Sequence, residues 1–265
     1  IRILNDCGVL PVPLSYYGAM TGRWAATGKI NLQNLPRKSR LKYAVIPEHG
    51  KVIVGADLSN IELRVGLYFA GQMDKLGLLG SGADLYKDFA TRVFDVAYDD
   101  VTDDQRFIGK TSQLSLIYGV GHQRLQEAIK RDSGIDIGEA EARRIVNLYR
   151  SEYTSVVNSW ETAATVLDWL WATSDETYGA NGQLKRSFFG GGPLKLDVHN
   201  LYGINLPSDM YLSYPDLQRY SQTRQLTYYT KKGRARIYGA KCFQNTVRAL
   251  ARCVMGEAMV RINKR

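Results

Sequence analysis

The sequence is poor in the residues that build disulfide scaffolds and zinc sites. It has 3 Cys and 3 His among 265 residues, and Cys7, Cys242 and Cys253 form no C-x-x-C pair. Such scarce and scattered thiols and imidazoles argue against a disulfide framework or a tetrahedral zinc site. They favour a reducing compartment.

Long apolar runs are also missing. No stretch approaches the roughly 20 apolar residues of a membrane-spanning helix, and the N-terminus lacks the charged-then-apolar pattern of a signal peptide. We expect no membrane segment. Because the chain begins with Ile1 and ends at Arg265 without obvious boundaries, we also expect a piece cut at both ends. The hydrophobic content of 45% is that of a globular protein.

Acidic residues are outnumbered by basic ones. The 35 Lys and Arg against 26 Asp and Glu give a net charge of +9 and a pI near 9.4. This surplus favours a polyanionic partner such as nucleic acid or nucleotide phosphate. A basic protein without such a partner is the alternative that charge alone leaves open.

The chain divides into three blocks. The first ends in KVIVGAD, whose β-branched run predicts a buried strand, and a helix with Gly71 as its stop should follow. Residues 72–175 show helical spacing throughout, and from about 184 the period shifts toward two. A hairpin turn is expected at Lys231–Gly233, and an amphipathic helix in NTVRALARCVMGEAMVRI. The order predicts an α+β fold in which the chain leaves one subdomain, builds a second and returns.

Asp57 stands where the predicted strand ends and a helix is about to begin. A carboxylate at a strand tip is suited to a hard divalent cation, which prefers oxygen ligands. The alternative is helix capping by Asp57 or Ser59, with Glu62 favourable near the positive end of the helix. Taken alone, this pattern favours capping.

The segment TDDQRFIGKTSQLSLIYGVG predicts a helix with a stripe of functional side chains. Thr102 and Gln105 have capping-box spacing. Arg106, Lys110, Leu114 and Tyr118 then recur every four residues and span roughly 18 Å at 1.5 Å per residue. Two cations followed by an aromatic side chain suit the phosphates and the base or sugar of a nucleoside triphosphate. A solvated helix face carrying two basic residues is the alternative.

A third pattern, TGRWAATGKINLQNLPRKSR, has no regular period and predicts an extended loop. Its polar side chains, including Arg23, Gln33, Asn34 and Arg37, are types that bond to base edges and phosphates. Alone it would indicate a polar surface loop.

Taken in order, TGR…NLQNLPR, VGADLSNIELRV and RFIGKTSQLSLIYG resemble the polymerase core of family A DNA polymerases, the group that contains bacterial polymerase I and many phage replicases. INLPSDMYLSYPDL and RIYGAKCFQNTVRALARCVMGEAMVRI resemble the phage branch. The resemblance covers nearly the whole chain and implies a right-hand fold, an antiparallel palm sheet with helices plus helical fingers. Residues 1–71 would be the first palm segment with motif A, 72–190 the fingers with the motif B helix, and 191–265 the return to the palm, cut before motif C.

The resemblance also implies roles for individual residues. Asp57 and the backbone carbonyl of Leu58 would bind two catalytic Mg²⁺ ions, and Glu62 would exclude a ribose 2′-hydroxyl, with Arg64 as structural support. On the fingers helix, Arg106 and Lys110 would grip the incoming triphosphate, Lys110 with a catalytic role, and Tyr118 would lie beside the templating base. Arg23 would read the minor groove at the primer end. The remaining DNA-binding positions would be Gln33 and Asn34 near the duplex, and Gln244 and Arg248 near family contacts to the primer–template.

The sequence departs from the family at several positions. Leu58 and Asn60 replace the more usual Tyr and Gln, and Leu114 replaces the Phe or Tyr that faces the sugar of the incoming nucleotide. The His-Asp pair of motif C, which supplies the second metal-binding carboxylate, is missing before Arg265. We therefore expect an inactive piece of an active enzyme.

Two other functions remain open at this point. A single-subunit RNA polymerase shares the palm and the helix stripe, but it would have to admit a 2′-hydroxyl, against which Glu62 argues. A non-catalytic DNA-binding module would bind primer–template without responding to a matching nucleotide. For the polymerase, the expected partners are primer–template DNA and dNTPs, with any processivity factor or helicase unidentified, no membrane, and the cytoplasm of a phage-infected bacterium as its location.

Overall fold

The computed structural model describes residues 10–27, 31–35, 40–173, 186–199 and 203–264. The chain contacts group into two compact units. One unit comprises Ile1–Ser59 with Val254–Arg265, and the other comprises Asn60–Cys253. The larger unit holds the helices and sheets that carry most of the predicted site.

Apart from the end of the last helix of the chain, the smaller unit has little regular structure among its described residues. Strands β1 (Leu14–Ser15) and β2 (Ala25–Ala26) pair antiparallel, and short 3-10 helices cover Leu32–Asn34 and Arg40–Ala44. The prediction of an extended polar loop over residues 21–40 therefore fails at these short elements, and residues 28–30 and 36–39 of that segment lie outside the described residues.

The predicted buried strand in KVIVGAD is not formed. Residues 51–58 have no strand pairing, and the side chains of Val52, Ile53 and Val54 are 82%, 61% and 87% exposed. A β-branched run becomes a buried strand only when neighbouring strands satisfy its backbone and cover its side chains. No such neighbours occur among the residues that the structure describes.

The larger unit opens with a run of helices, which confirms the prediction of mainly helical structure from 72 to 173, the last described residue of that stretch. The long periodic segment after 138 is two helices, because the chain breaks at Tyr153. The helices are α1 (Ile61–Ala70), α2 (Met73–Gly80), α3 (Leu85–Phe94), α4 (Asp103–Leu116), α5 (His122–Ser133), α6 (Gly138–Glu152) and α7 (Thr154–Thr173).

An aromatic cluster fixes α4 against its neighbours. Tyr149 and Tyr153 stack with their ring centroids 4.2 Å apart, and Phe89 of α3 meets both edge-on. The buried Gln113 amide of α4 donates to the Leu85 carbonyl at 2.7 Å and to the Tyr153 hydroxyl at 2.9 Å. Because a buried amide without partners is costly, these bonds set the rotation of α4 about its axis.

The crossing of α3 and α4 depends on a glycine. A Cβ atom added to Gly109 would lie 2.3 Å from the Tyr86 carbonyl oxygen. Only a residue without a side chain allows this approach, which brings the cations of α4 next to the start of α3.

Two antiparallel sheets follow, and the strands predicted in this block are confirmed. The expected turn at Lys231–Gly233 is also present, since Thr230 pairs with Gly233. One sheet has the order β3 (Arg186–Phe189), β4 (Leu196–His199), β5 (Gly203–Asn205), β6 (Tyr211–Leu212), and the other β7 (Gln218–Arg219), β8 (Leu226–Thr230), β9 (Gly233–Ile237).

The last helix, α8 (Gly239–Asn263), is buried along its first half. A Cβ added to Gly66 of α1 would come within 2.8 Å of Ile117 and 3.6 Å of Val247, so α1, the end of α4 and α8 meet at this glycine. The amphipathic prediction is confirmed over this half, while Val254 further along is 45% exposed.

The structure also addresses the expectations drawn from scarce residues. Cys242 and Cys253 are buried free thiols, and burial raises the pKa of Cys242 to about 12; Cys7 lies outside the described residues. Within the described ranges, no helix combines the length and apolarity needed to cross a membrane. Helices and antiparallel strands together confirm the α+β class.

Candidate active site

Asp57 and Leu58 precede α1 in an irregular segment of the smaller unit. Asp57 is exposed and Leu58 is partly exposed. Neither Asp57 nor Ser59 caps α1. That position is held by Asn60, in a left-handed conformation with φ of 53° and without a side-chain capping bond. The capping interpretation of Asp57 is therefore wrong.

The described residues do not form a complete metal site around Asp57. No group of three or more His, Cys, Asp or Glu side chains that could hold a metal ion occurs among them. A hard divalent cation takes about six oxygen ligands, of which Asp57 supplies one carboxylate. Within the described ranges, the Asp57 carboxylate by itself therefore provides too few ligands for such an ion.

Helix α4 begins as the sequence predicts. The Thr102 hydroxyl accepts from the Gln105 backbone at 3.3 Å, and the Gln105 side chain accepts from the Thr102 backbone at 2.9 Å. Arg106 and Lys110 are half-buried on one face, and Leu114 on the same face is 40% exposed. The helix ends at Leu116, so the fourth member of the predicted stripe stands in the turn beyond it.

Arg106 is paired with an acidic residue that the sequence analysis did not single out. Its Nε lies 2.5 Å from Oδ2 of Asp84, the N-cap residue of α3. Partial burial alone would raise the pKa of Asp84. The hydrogen bond from Arg106 and the bonds from the Lys87 and Tyr86 backbones outweigh that effect and lower it. Asp84 has the sequence signature of an N-cap, but no local pattern connects it to Arg106.

Tyr86 lies between the two cations of α4. Its ring centroid is 5.9 Å from the Arg106 guanidinium carbon and 6.0 Å from the Lys110 ammonium, within the range of cation–π attraction. Its hydroxyl donates to the Asn60 side chain at 2.9 Å. Tyr86 thus joins the α4 cations to the residue that begins α1, a connection that the sequence does not signal.

The turn that carries Tyr118 is held from outside α4. The Trp160 indole of α7 donates to the Ile117 carbonyl at 3.1 Å. Gly119 follows with a φ of +71°, and a Cβ there would lie 2.6 Å from the Cβ of Ala240 in α8. Gly119 therefore stops the chain from continuing this helix, and it lets the Tyr118 backbone approach α8.

The Tyr118 side chain meets two other predicted site residues. Its hydroxyl donates to Glu62 Oε2 at 2.7 Å. The Nε of Arg248 lies 3.4 Å from the same oxygen, and its guanidinium carbon lies 5.4 Å from the Tyr118 ring centroid. Burial above all, and then the Glu62 carboxylate, raise the pKa of Tyr118 far above its ordinary range, so the phenol stays protonated.

The other predicted DNA-binding residues lie apart from this cluster along the chain. In the smaller unit, Arg23, Gln33 and Asn34 are exposed, and the Gln33 amide donates to the Trp24 carbonyl at 3.3 Å. In α8, the Gln244 side chain accepts from the Lys241 ammonium at 2.6 Å. Arg37 lies outside the described residues.

Comparison with known proteins identifies the family to which these elements belong. The family described as DNA polymerase family A matches residues 12–168, more than half of the chain. The chain therefore belongs to DNA polymerase family A.

Individual relatives agree with the family match. DNA polymerase I of Caldicellulosiruptor bescii is 31% identical over 143 residues, covering 52% of this chain and 16% of the relative. The DNA polymerase of Bacillus phage SP01 is 30% identical over 152 residues, covering 53% of this chain and 16% of the relative. The matched part thus spans about a sixth of the length of these relatives.

A solved structure shows the same fold. The POL domain of Pol1 from M. smegmatis, in complex with DNA primer-template and dNTP, is similar with a TM-score of 0.55 at 19% identity. The similarity covers 94% of this chain and 36% of that chain. The expectation of an α+β polymerase fold is confirmed.

Proposed function

We propose that this chain is part of an enzyme that adds deoxynucleotides to the 3′ end of a primer paired with a DNA template. Family membership supports DNA synthesis, and the M. smegmatis complex with primer–template and dNTP supports these molecules as the ligands. The observation that carries the proposal is the pairing around α4: two cations on one face of the helix, and Tyr118 bonded to Glu62 beyond its end.

Each of these side chains has a part in the proposal. Arg106 and Lys110 bind the triphosphate, since fixed cations stabilise the charge that develops on transferring phosphoryl groups. Tyr118 lies beside the templating base, Leu114 faces the sugar, and Glu62 excludes a 2′-hydroxyl. Lys110 also acts in catalysis.

The domain division predicted from the sequence is retained in the proposal, with 1–71 and 191–265 as palm and 72–190 as fingers. Divalent cations belong to it as well. Two Mg²⁺ ions, with Asp57 and the Leu58 carbonyl among their ligands, would stabilise the attacking and leaving oxygens. Contacts to DNA are assigned to Arg23, Gln33, Asn34 and Gln244. The phage relative supports a phage-type replicase, acting in the cytoplasm of an infected bacterium.

The test uses the protein expressed from its complete reading frame. Primer–template affinity is measured with and without the matching dNTP, and single-nucleotide extension is then followed for the wild type and Lys110→Ala. We expect the matching dNTP to tighten DNA binding, and Lys110→Ala to lower kcat/KM by about 10²-fold, the typical cost of losing one preorganised charged group.

Arg150→Ala is the matched control, because Arg150 is an exposed cation in the last turn of α6 and should leave extension unchanged. DNA binding that is indifferent to the matching dNTP, without extension, would show a binding module and overturn the proposal. A preference for rNTPs would show an RNA polymerase instead.

A further inference from the structure

One oxygen of Glu62 is held by two side chains from distant parts of the chain. Tyr118 donates its hydroxyl to Oε2 at 2.7 Å, and Arg248 brings its Nε to 3.4 Å from the same atom. The guanidinium of Arg248 also lies over the Tyr118 ring. Each of the three residues therefore contacts the other two.

The backbones beneath these side chains are fixed by packing. Gly66, one turn after Glu62 in α1, lies against Ile117 and Val247, the residues that directly precede Tyr118 and Arg248. The three side chains thus project from helix ends and faces that cannot move apart without opening the core. The Glu62 carboxylate can leave its position only by breaking both contacts.

The two partners of Glu62 act differently. The partly buried phenol of Tyr118 is neutral, with its pKa raised, and its one hydrogen bond orients the carboxylate. The guanidinium of Arg248 supplies the counter-charge. The side chains of Arg248 and Glu62 are 34% and 33% exposed, so this part of the cluster opens to solvent and to any ligand.

We propose that Arg248 is a positioning residue that holds the Glu62 carboxylate against Tyr118, and that it thereby sets how strongly the site rejects a ribose. This inference rests on the proposed role of Glu62 as the group that excludes a 2′-hydroxyl. Arg248 replaces the direct DNA contact expected at this position with a contact inside the protein. The enzyme then tunes its sugar selectivity from α8 as well as from α1.

The experiment compares kcat/KM for a dNTP and for the corresponding rNTP in the complete protein. Glu62→Ala should lose most of the discrimination. Arg248→Gln, which removes the charge, should lower the discrimination about two- to fivefold, as expected for a partly exposed ion pair. Arg248→Lys keeps the charge and should recover most of that loss.

A double-mutant cycle separates positioning from DNA contact. In a Glu62→Gln background, Arg248→Gln should have no further effect on sugar selectivity, because the carboxylate that it positions is already gone. Arg261→Gln is the matched control, an exposed cation further along α8 that pairs with Glu257, and it should leave the ratio unchanged. If Arg248→Gln does not fold, Arg248→Met, which also removes the charge, makes the same comparison in the two backgrounds.

The outcomes distinguish a failure of the positioning role of Arg248 from a failure of the proposed role of Glu62. If Glu62→Ala leaves sugar selectivity unchanged, the proposed role of Glu62 fails. If Glu62→Ala changes selectivity but Arg248→Gln does not, the positioning role of Arg248 is overturned. If Arg248→Gln instead weakens DNA binding equally in both backgrounds and lowers the salt slope by about 1, Arg248 contacts a phosphate and the inference is wrong.

Discussion

The Tyr118 hydroxyl and the Glu62 carboxylate, 56 residues apart in sequence, share a 2.7 Å hydrogen bond. The bond ties the turn after α4 to the first turn of α1. In the function proposed for this chain, one residue faces the templating base and the other faces the sugar of the nucleotide. Their hydrogen bond therefore connects the residue proposed to contact the templating base with the residue proposed to contact the sugar.

Removing this hydroxyl should destabilise the larger unit. We expect Tyr118→Phe to lower the free energy of unfolding by about 1–2 kcal/mol, since a partly buried hydrogen bond to a charged acceptor is lost while the ring remains. Urea unfolding measures the change. Tyr229→Phe, in which the exposed ring of Tyr229 loses its hydroxyl, should stay within about 0.5 kcal/mol of the wild type. Equal effects of the two variants would contradict the prediction.

The pair between Asp84 and Arg106 predicts a pH dependence. Because the pKa of Asp84 is lowered in the folded state, its contribution is present above the unfolded value near 3.9 and is lost as pH falls through the folded value. Asp84→Asn keeps a capping oxygen, so at pH 7 we expect a loss of only about 0.2–1 kcal/mol, which should vanish in strong acid.

Asp84→Ala separates the cap from the ion pair. It removes both, and should cost about 1 kcal/mol more than Asp84→Asn at pH 7. Unfolding curves of the three proteins between pH 7 and pH 2 provide the measurement. A difference between wild type and Asp84→Asn that stays constant with pH would show that the carboxylate charge contributes nothing.

Leu114 offers a test of nucleotide selection on α4. Its side chain is 40% exposed, so Leu114→Tyr should fold with stability within about 0.5 kcal/mol of the wild type. We expect the ratio of dideoxynucleotide to deoxynucleotide incorporation to change several-fold, because a flat ring and a hydroxyl are introduced where the sugar is proposed to lie. Leu114→Phe separates the ring from the hydroxyl, and an unchanged ratio in both variants would refute the assignment.

Gly109 tests the approach of α3 and α4. Its added methyl group would meet the Tyr86 carbonyl oxygen at 2.3 Å, so Gly109→Ala should destabilise by about 1–3 kcal/mol. Gly77, in α2, has nothing within 4 Å of the corresponding position, and Gly77→Ala should stabilise by up to about 1 kcal/mol. Thermal unfolding of the two variants should therefore shift in opposite directions.

Local signals predicted local structure well. The capping box at Thr102 and the hairpin around Lys231 depend on residues a few positions apart, and both are present. The strand in KVIVGAD failed for the opposite reason, since a strand requires partners that its own sequence does not specify. Pattern and composition were thus sufficient for helices and turns, but not for this strand.

In the candidate site too, local relationships could be predicted from the sequence and long-range contacts could not. The spacing of Arg106, Lys110 and Leu114 on one helix face could be predicted from the sequence. The contact of Arg248 with Glu62 joins residues 186 positions apart, and the contact of Asp84 with Arg106 crosses from one helix to another. Such contacts arise from how helices cross, and that crossing is set by close approaches such as the one at Gly109.

The pairing of Arg106 with Asp84 has a consequence for any anion that reaches α4. The guanidinium is already neutralised by a carboxylate at 2.5 Å, so an incoming phosphate competes with an internal anion for the same donor. A monovalent anion that replaces Asp84 on Arg106 gains little binding free energy. A polyphosphate that also reaches Lys110 gains a second ionic contact, which can offset the loss of the bond between Arg106 and Asp84. Asp84 would then act as a built-in competitor that makes Arg106 selective for anions of high charge density.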